Sequence, residues 1–334
     1  MAHFNIFNDI HKNIKKYARL YVTGFAMGTA DLIPGVSGGT IAFLSGIYEE
    51  LLYSIKTLSG TCIKLMLERK YSEAMKLVPF RFLIPLALGI FSALFSLASA
   101  LTFLLKDYPM FVWAFFFGLV LASTWIVLKR VVKWDVSDKI SFIVSVVITY
   151  FLVGMIPIET PNTLPVVFIS GAIAISAMIL PGISGSFILL LLGKYQQILA
   201  AVTNRDVVTL GVFMAGCIIG LALFSRVLSW LFKNHHDISV AILAGVMLGS
   251  VRKIWPWQEV ISTRINSHGE EVPMIVKNIM PDMQDATTLA LIFLSAFGAA
   301  LILYMDRFQV SKERMGDVDN PRLAKEHRES LKNQ

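Results

Sequence analysis

The chain has 334 residues, 55% hydrophobic and 16% charged, with a formal charge of +7 and a mean hydropathy of +0.66. That balance lies far outside soluble composition, and in so apolar a chain the positive charge belongs to loops beside a membrane rather than to a nucleic-acid surface. The two cysteines, Cys62 and Cys217, sit in or near apolar context and suggest neither a disulfide framework nor a thiolate metal site.

Residues 1–20 are basic and amphipathic, with Lys12, Lys15, Lys16 and Arg19, and suit an anionic membrane surface. A cleavable signal peptide fits poorly, because Asp31 and Pro34 interrupt the first apolar run. Within residues 21–52, Gly24 to Tyr48 reads GFAMGTADLIPGVSGGTIAFLSGIY. Pro34 cannot sit in a regular helix, and Gly35, Gly38 and Gly39 permit turns. The stretch therefore predicts two short helices meeting at a non-helical turn, tolerated in a membrane only inside protein or beside a wet cavity. Residues 53–79 mix charges with Leu and Met and predict interfacial helices. Spans are expected at 80–105, 110–128 and 140–157, with a basic loop, KRVVKWDVSDK, before the last. IETPNTLP, Ile158 to Pro165, ends the first half.

The second half repeats the first. Gly171 to Tyr195 reads GAIAISAMILPGISGSFILLLLGKY, and a shift of 147 places Pro34, Gly35, Ser37 and Gly38 on Pro181, Gly182, Ser184 and Gly185. Gly24, Gly46 and Tyr48 fall on Gly171, Gly193 and Tyr195, whereas Asp31 falls on Met178. The second broken segment spans 166–199, followed by spans at 207–232, 238–251 and 287–305, with a polar loop over 252–286. A shift of 127 places Gly89, Gly118 and Ser123 on Gly216, Gly245 and Ser250. Each half thus holds one broken segment and three spans, the pattern of an internally duplicated transporter. The organisation expected is an N-terminal segment (1–20), two membrane repeats (21–157 and 158–305) in one integrated domain, and a charged, partly disordered tail (306–334).

If each broken segment returns to the side it entered, residues 1–20, 53–79, 129–139, 231–237 and the tail share one side and carry 21 Lys and Arg, against 6 on the other. The positive-inside rule makes the richer side, with both termini, cytoplasmic. Three spans then invert the second half relative to the first. The fold expected is all-α and polytopic, two inverted repeats each built from a re-entrant helical hairpin and three transmembrane helices; kinked full spans are the alternative.

GTADLIPGVSGGTIAFLSGIYE and AMILPGISGSFILLLLGKY resemble the paired signatures of the bacterial polyprenyl-phosphate translocase family, over roughly residues 15–305. The resemblance implies a lipid transporter of the bacterial cytoplasmic membrane that returns undecaprenyl phosphate to the cytoplasmic leaflet after cell-envelope synthesis, among membrane lipids and with no nucleic-acid partner.

The residues point the same way by a separate argument. Turns at Gly35, Ser37, Gly38 and Gly39 and at Gly182, Ser184, Gly185 and Ser186 can offer amides and hydroxyls to a phosphate. They lack the lysine and strand–helix context of a nucleotide loop. The plain alternative is that small residues serve tight turns and close helix packing. Asp31 is either a switch for a coupling proton or sodium ion or a carboxylate held by turn amides or a basic partner. Arg226 either neutralises the phosphate or serves structure. Pro34 and Pro181 shape the turns, Lys194 and Arg81 read as interfacial anchors, and His235 with His236 makes a poor metal site. No catalytic constellation and no cofactor is indicated. A polyprenyl-diphosphate phosphatase and a small-ion channel or transporter are the alternative functions. The sequence does not specify the oligomeric state.

Overall fold

The computed structural model describes residues 2–33, 36–158, 160–265 and 271–318. Helix α1 (Ala2–Asp31) runs unbroken from the amphipathic segment into the first apolar stretch. A turn leads to α2 (Gly38–Leu44), and α3 (Tyr48–Thr57), a π-turn at Leu58–Cys62, α4 (Ile63–Leu67) and α5 (Tyr71–Leu77) follow. These short pieces fill the region expected to be interfacial. Three longer helices come next: α6 (Phe80–Asp107), α7 (Pro109–Leu128) and α8 (Val136–Val153). Pro109 starts α7 where its missing amide proton costs nothing. A capping box between Asp135 and Asp138 starts α8.

In the second half, α9 (Leu164–Ile179) and α10 (Gly185–Leu191) flank the second turn; α11 (Tyr195–Thr203) follows. Then come α12 (Val207–Asn234), α13 (His236–Ser250), strands β1 (Gln258–Ile265) and β2 (Glu271–Asn278), and α14 (Ala286–Val318). The polar loop of the sequence reading is thus an antiparallel two-stranded hairpin; Val260, Ile261 and Thr263 of β1 have the β-branched shape that suits it. α14 runs past Asp306, where the tail was expected to begin, through a polar stretch that includes Lys312 and Glu313. Among the described residues five helices are long and apolar enough to cross a membrane, or six if the pair α10 and α11, bent by 107°, counts as one. The membrane body is all-α and polytopic.

The repeated glycines have distinct jobs. Gly46 and Gly193 adopt φ +72° and +65° at the ends of α2 and α10. There Ile47 N donates to Ala42 O (3.0 Å) and Lys194 N to Leu189 O (2.8 Å), the capping pattern that requires a left-handed residue. Gly24 and Gly89 let α1 and α6 touch, and Gly171 and Gly216 do the same for α9 and α12. Both helix pairs run parallel: Gly24 and Gly28 meet Leu86 and Ile90, and Gly216 and Gly220 meet Phe168 and Ala172.

The last helix of each half packs on the other half. α14 lies on α7 and α8 on α13, through Gly118 and Gly245 at equivalent positions. α7 and α13 also touch each other at the centre. The apolar stretch of α7 is 61% buried, against 12% for α6 and 17% for α12, so α7 is a core helix.

Candidate functional site

The two turns meet. Ser37 Oγ donates to the carbonyl of Met178 at 3.3 Å, and Tyr48 OH donates to that of Ile179 at 3.2 Å. A Cβ built on Gly39 would stand 2.7 Å from Ile179 O, so the backbones approach about as closely as glycine allows. Ser37 and Gly39 therefore lie against the last residues of α9, from which the turn carrying Pro181, Gly182, Ser184, Gly185 and Ser186 continues. Pro34 and Gly35 lie outside the described residues.

The chemistry of the two turns differs. At the first, Gly38 N donates to Asp31 Oδ1 at 2.7 Å, and Gly39 N donates to Ser37 Oγ at 3.1 Å. Both amides are thus taken by side chains of the same turn, and Ser37 is buried. Beside them Thr40 Oγ1 is buried and has no hydrogen-bond partner among the described residues. At the second turn Ser184 forms no capping bond; its hydroxyl pairs with that of Ser186 at 2.7 Å. Ser186 is exposed and Ser184 half-buried. Gly182, at φ +92°, would bring a Cβ within 2.8 Å of Ser250 Oγ on α13.

The carbonyl end of the short helix after each turn is held by groups from outside that helix. Arg19 on α1 donates to Ser45 O at 3.0 Å, and Arg130 donates to Phe43 O (2.9 Å) and Leu44 O (3.0 Å), so two cations close the carbonyl end of α2. In the second half Ile158 N, just ahead of α9, donates to Leu191 O at the end of α10 (2.8 Å). Lys194, expected at an interface, is wholly buried and binds Thr160 O (2.8 Å) and Asn162 Oδ1 (2.6 Å).

Arg226 is exposed on α12, its guanidinium 3.1 Å from where a Cβ on Gly60 would be, and among the described residues it forms no hydrogen bond to either turn. An apolar cavity of about 270 Å³ opens beside the first turn, lined by Phe25, Ala30, Leu44, Phe116, Leu119 and Leu301 from α1, α2, α7 and α14. The sequence reading missed Thr40 and the Tyr48 hydroxyl; Tyr48 was visible only as a repeated residue.

The undecaprenyl phosphate translocase-like family matches residues 27–272. A polyprenyl-phosphate transporter of Vibrio cholerae serotype O1 is 42% identical over 299 residues, 87% of this chain and 97% of that protein. A polyprenyl-phosphate transporter of Staphylococcus aureus is 31% identical over 252 residues, 70% of this chain and 84% of that protein. No solved structure matches. With the paired turns, the helical membrane body and near-complete coverage of the Vibrio relative, the chain belongs to the undecaprenyl phosphate translocase-like family.

Proposed function

We propose that the chain is a transporter, not an enzyme, that returns undecaprenyl phosphate from the outer to the cytoplasmic leaflet by alternating access between two inverted repeats. The observation that carries this reading is the meeting of the two turns within a chain of this family. α1 is parallel to α6, and α8 to α13, where Gly245 meets Phe142 and Gly249 meets Val146. Successive spans alternate, so α8 points with α6, α12 opposes α13, and α9, parallel to α12, opposes α1. The hairpins then enter from opposite faces. Gly28 packs on Ile90, near the middle of α6 (Phe80–Asp107), which supports a first turn at half depth.

The division of the substrate follows from energetics. A phosphate in hydrocarbon without compensation is severely unfavourable, whereas the polyprenyl tail has no reason to leave it. In this proposal the headgroup sits between the turns at 34–39 and 181–186, and the tail lies in lipid or in the apolar cavity beside α1. Arg226 adds positive charge once its side chain leaves Gly60. Asp31 competes with the phosphate for the Gly38 amide, so protonating it, or pairing it with sodium, frees that amide for the substrate. Access alternates by rocking of the halves about the site.

Leaflet-resolved movement of polyprenyl phosphate in liposomes containing only this protein tests the reading. Movement that stops when the protein is omitted is the expected result. Release of inorganic phosphate, or ion flux without lipid movement, would instead establish one of the alternative functions.

A further inference from the structure

On the cation-poor face, Arg252, Lys253 and Lys277 line one cavity of about 280 Å³, between the ends of α8 and α13 and the β hairpin. They are half of the six cations assigned to that face from the sequence. No carboxylate is among the residues lining the cavity. None of the ion pairs among the described residues involves these three cations, although Glu259 stands opposite Lys277 in the strand register. Like charges gathered without a counter-ion repel one another and suit an anion that visits.

The cavity is built rather than incidental. Asn278 Nδ2 donates to Arg252 O (2.9 Å) and Gln258 Nε2 to Lys253 O (3.1 Å), so the hairpin fixes the main chain that carries the cations. Arg252 Nη1 donates to Tyr150 O at 3.0 Å, and its guanidinium lies 4.5 Å from the Tyr150 ring. Gly154 lies directly under that guanidinium, where any side chain would collide with it. Lys253 reaches the other way, its Nζ 5.3 Å from the ring of Phe187 on α10. One turn back along α13, Ser250 lies against Gly182. Cations therefore extend from the face of the protein to the helix that leaves the second turn.

We propose that the cavity of Arg252, Lys253 and Lys277 is a capture site for a phosphate monoester on the β-hairpin face, which passes the headgroup along Lys253 toward the turn at 182–186. The hand-off rests on the translocation reading; the capture site does not. Guanidinium and ammonium groups on one side of a cavity match a phosphate monoester, which offers two negative charges and three acceptor oxygens. Carrier-lipid phosphate and free inorganic phosphate share that chemistry.

The test uses the full chain and a short-chain polyprenyl monophosphate carrying a photoreactive group near its headgroup. Label is expected on the peptides bearing Arg252–Gln258 and Val276–Asn278, with half-saturation raised about tenfold or more in R252Q/K253Q/K277Q. K277Q alone, on an exposed strand position, is expected to keep the fold and give part of the effect. Raising ionic strength is expected to weaken labelling of the parent more than of the triple variant. In liposomes the triple variant is expected to raise the half-saturating lipid concentration with little change in maximal rate. Protection by inorganic phosphate at concentrations far above the lipid's supports a lipid-phosphate site, and equal protection at equal concentration supports a free-phosphate site. Unchanged half-saturation in the triple variant overturns the capture site, and so does equal protection by a phosphate diester such as phosphatidylglycerol. If the parent labels at these peptides and the triple variant does not, yet no lipid moves in liposomes, the translocation reading falls and the capture site stands.

Discussion

At the first turn the chain supplies its own anion: Asp31 accepts from Gly38, Ser37 accepts from Gly39, and Ser37 is buried. At the equivalent place in the second turn stands Met178, 42% exposed, and among the described residues the hydroxyls of Ser184 and Ser186 engage only each other. Two segments that share Pro34 and Pro181, Gly35 and Gly182, and Gly38 and Gly185 have thus become one satisfied turn and one open turn. A duplication gives two equal turns; a single carboxylate at position 31 makes them unequal.

Moving the carboxylate should have the largest effect. A Cβ built on Gly185 would lie 3.4 Å from Met178 Cβ, much as one on Gly38 would lie 2.6 Å from Asp31 Oδ2. Met178→Asp is therefore expected to occupy the second turn as Asp31 occupies the first. Two unit charges about 4 Å apart near a protein surface repel by roughly 4 kcal/mol. Polyprenyl-phosphate binding should then fall on the order of a hundredfold or more near neutral pH, and recover as pH drops and the new carboxyl is protonated. Asp31→Asn is the converse: it keeps an oxygen for Gly38 and removes the charge. It should leave folding intact and abolish the dependence of transport on a proton or sodium gradient. A parent-like gradient dependence in D31N liposomes would rule out coupling at Asp31, and tight binding by M178D would rule out the second turn as the phosphate site.

The serines sharpen the same contrast at smaller scale. Ser184→Ala removes a hydroxyl from the open turn and should weaken lipid-phosphate binding by about 1–3 kcal/mol. Ser37→Ala removes the cap of α2 and its link to Met178 O, so its main loss should be stability, about 0.5–2 kcal/mol. Binding isotherms beside thermal unfolding in detergent separate the two. If S37A loses binding and S184A only stability, the assignment of open and satisfied turns is reversed.

Much of this contrast could be read before the fold, because it lies in punctuating residues. Gly46 and Gly193 mark helix ends that need a left-handed residue, and the glycines along α1, α6, α9 and α12 mark close backbone approach. Both are local demands that leave a trace at fixed spacing. The partner of Asp31 was less legible, since the Gly38 amide is one of several donors its position allowed. Longer-range features left less. The exchange of α8 and α14 between halves left the repeated Gly118 and Gly245, which mark close packing but do not name the helix that packs there. Arg226 could be placed on a helix but not aimed, and its guanidinium lies by Gly60, far away in sequence. The cationic cavity joins Tyr150, Arg252 and Lys277 through a β hairpin that polar residues and Pro273 made look like loop.

The smallest effect expected concerns the tie between the turns. Tyr48 is 2% exposed and donates to Ile179 O, while its repeat partner Tyr195 is 38% exposed. The ring of Tyr48 also packs edge-on against Phe43 and Phe232, with centroids 5.3 and 5.7 Å away. Tyr48→Phe keeps that cluster and removes only a neutral hydrogen bond, worth about 0.5–1.5 kcal/mol. If the halves rock about the site, this bond must break whenever the turns part, so it stabilises the arrangement in which they touch. Y48F should therefore lower thermal stability slightly and favour the parted arrangement. Labelling of a cysteine placed at the neighbouring Val36, 1% exposed, in a background without Cys62 and Cys217, reads that population directly, and should speed up by about two- to tenfold when Y48F is added. Tyr195→Phe, with no such bond among the described residues, should leave the labelling rate unchanged. Equal rates in the Y48F and parent backgrounds would mean that the turns do not part at this contact during the cycle, and that access changes elsewhere.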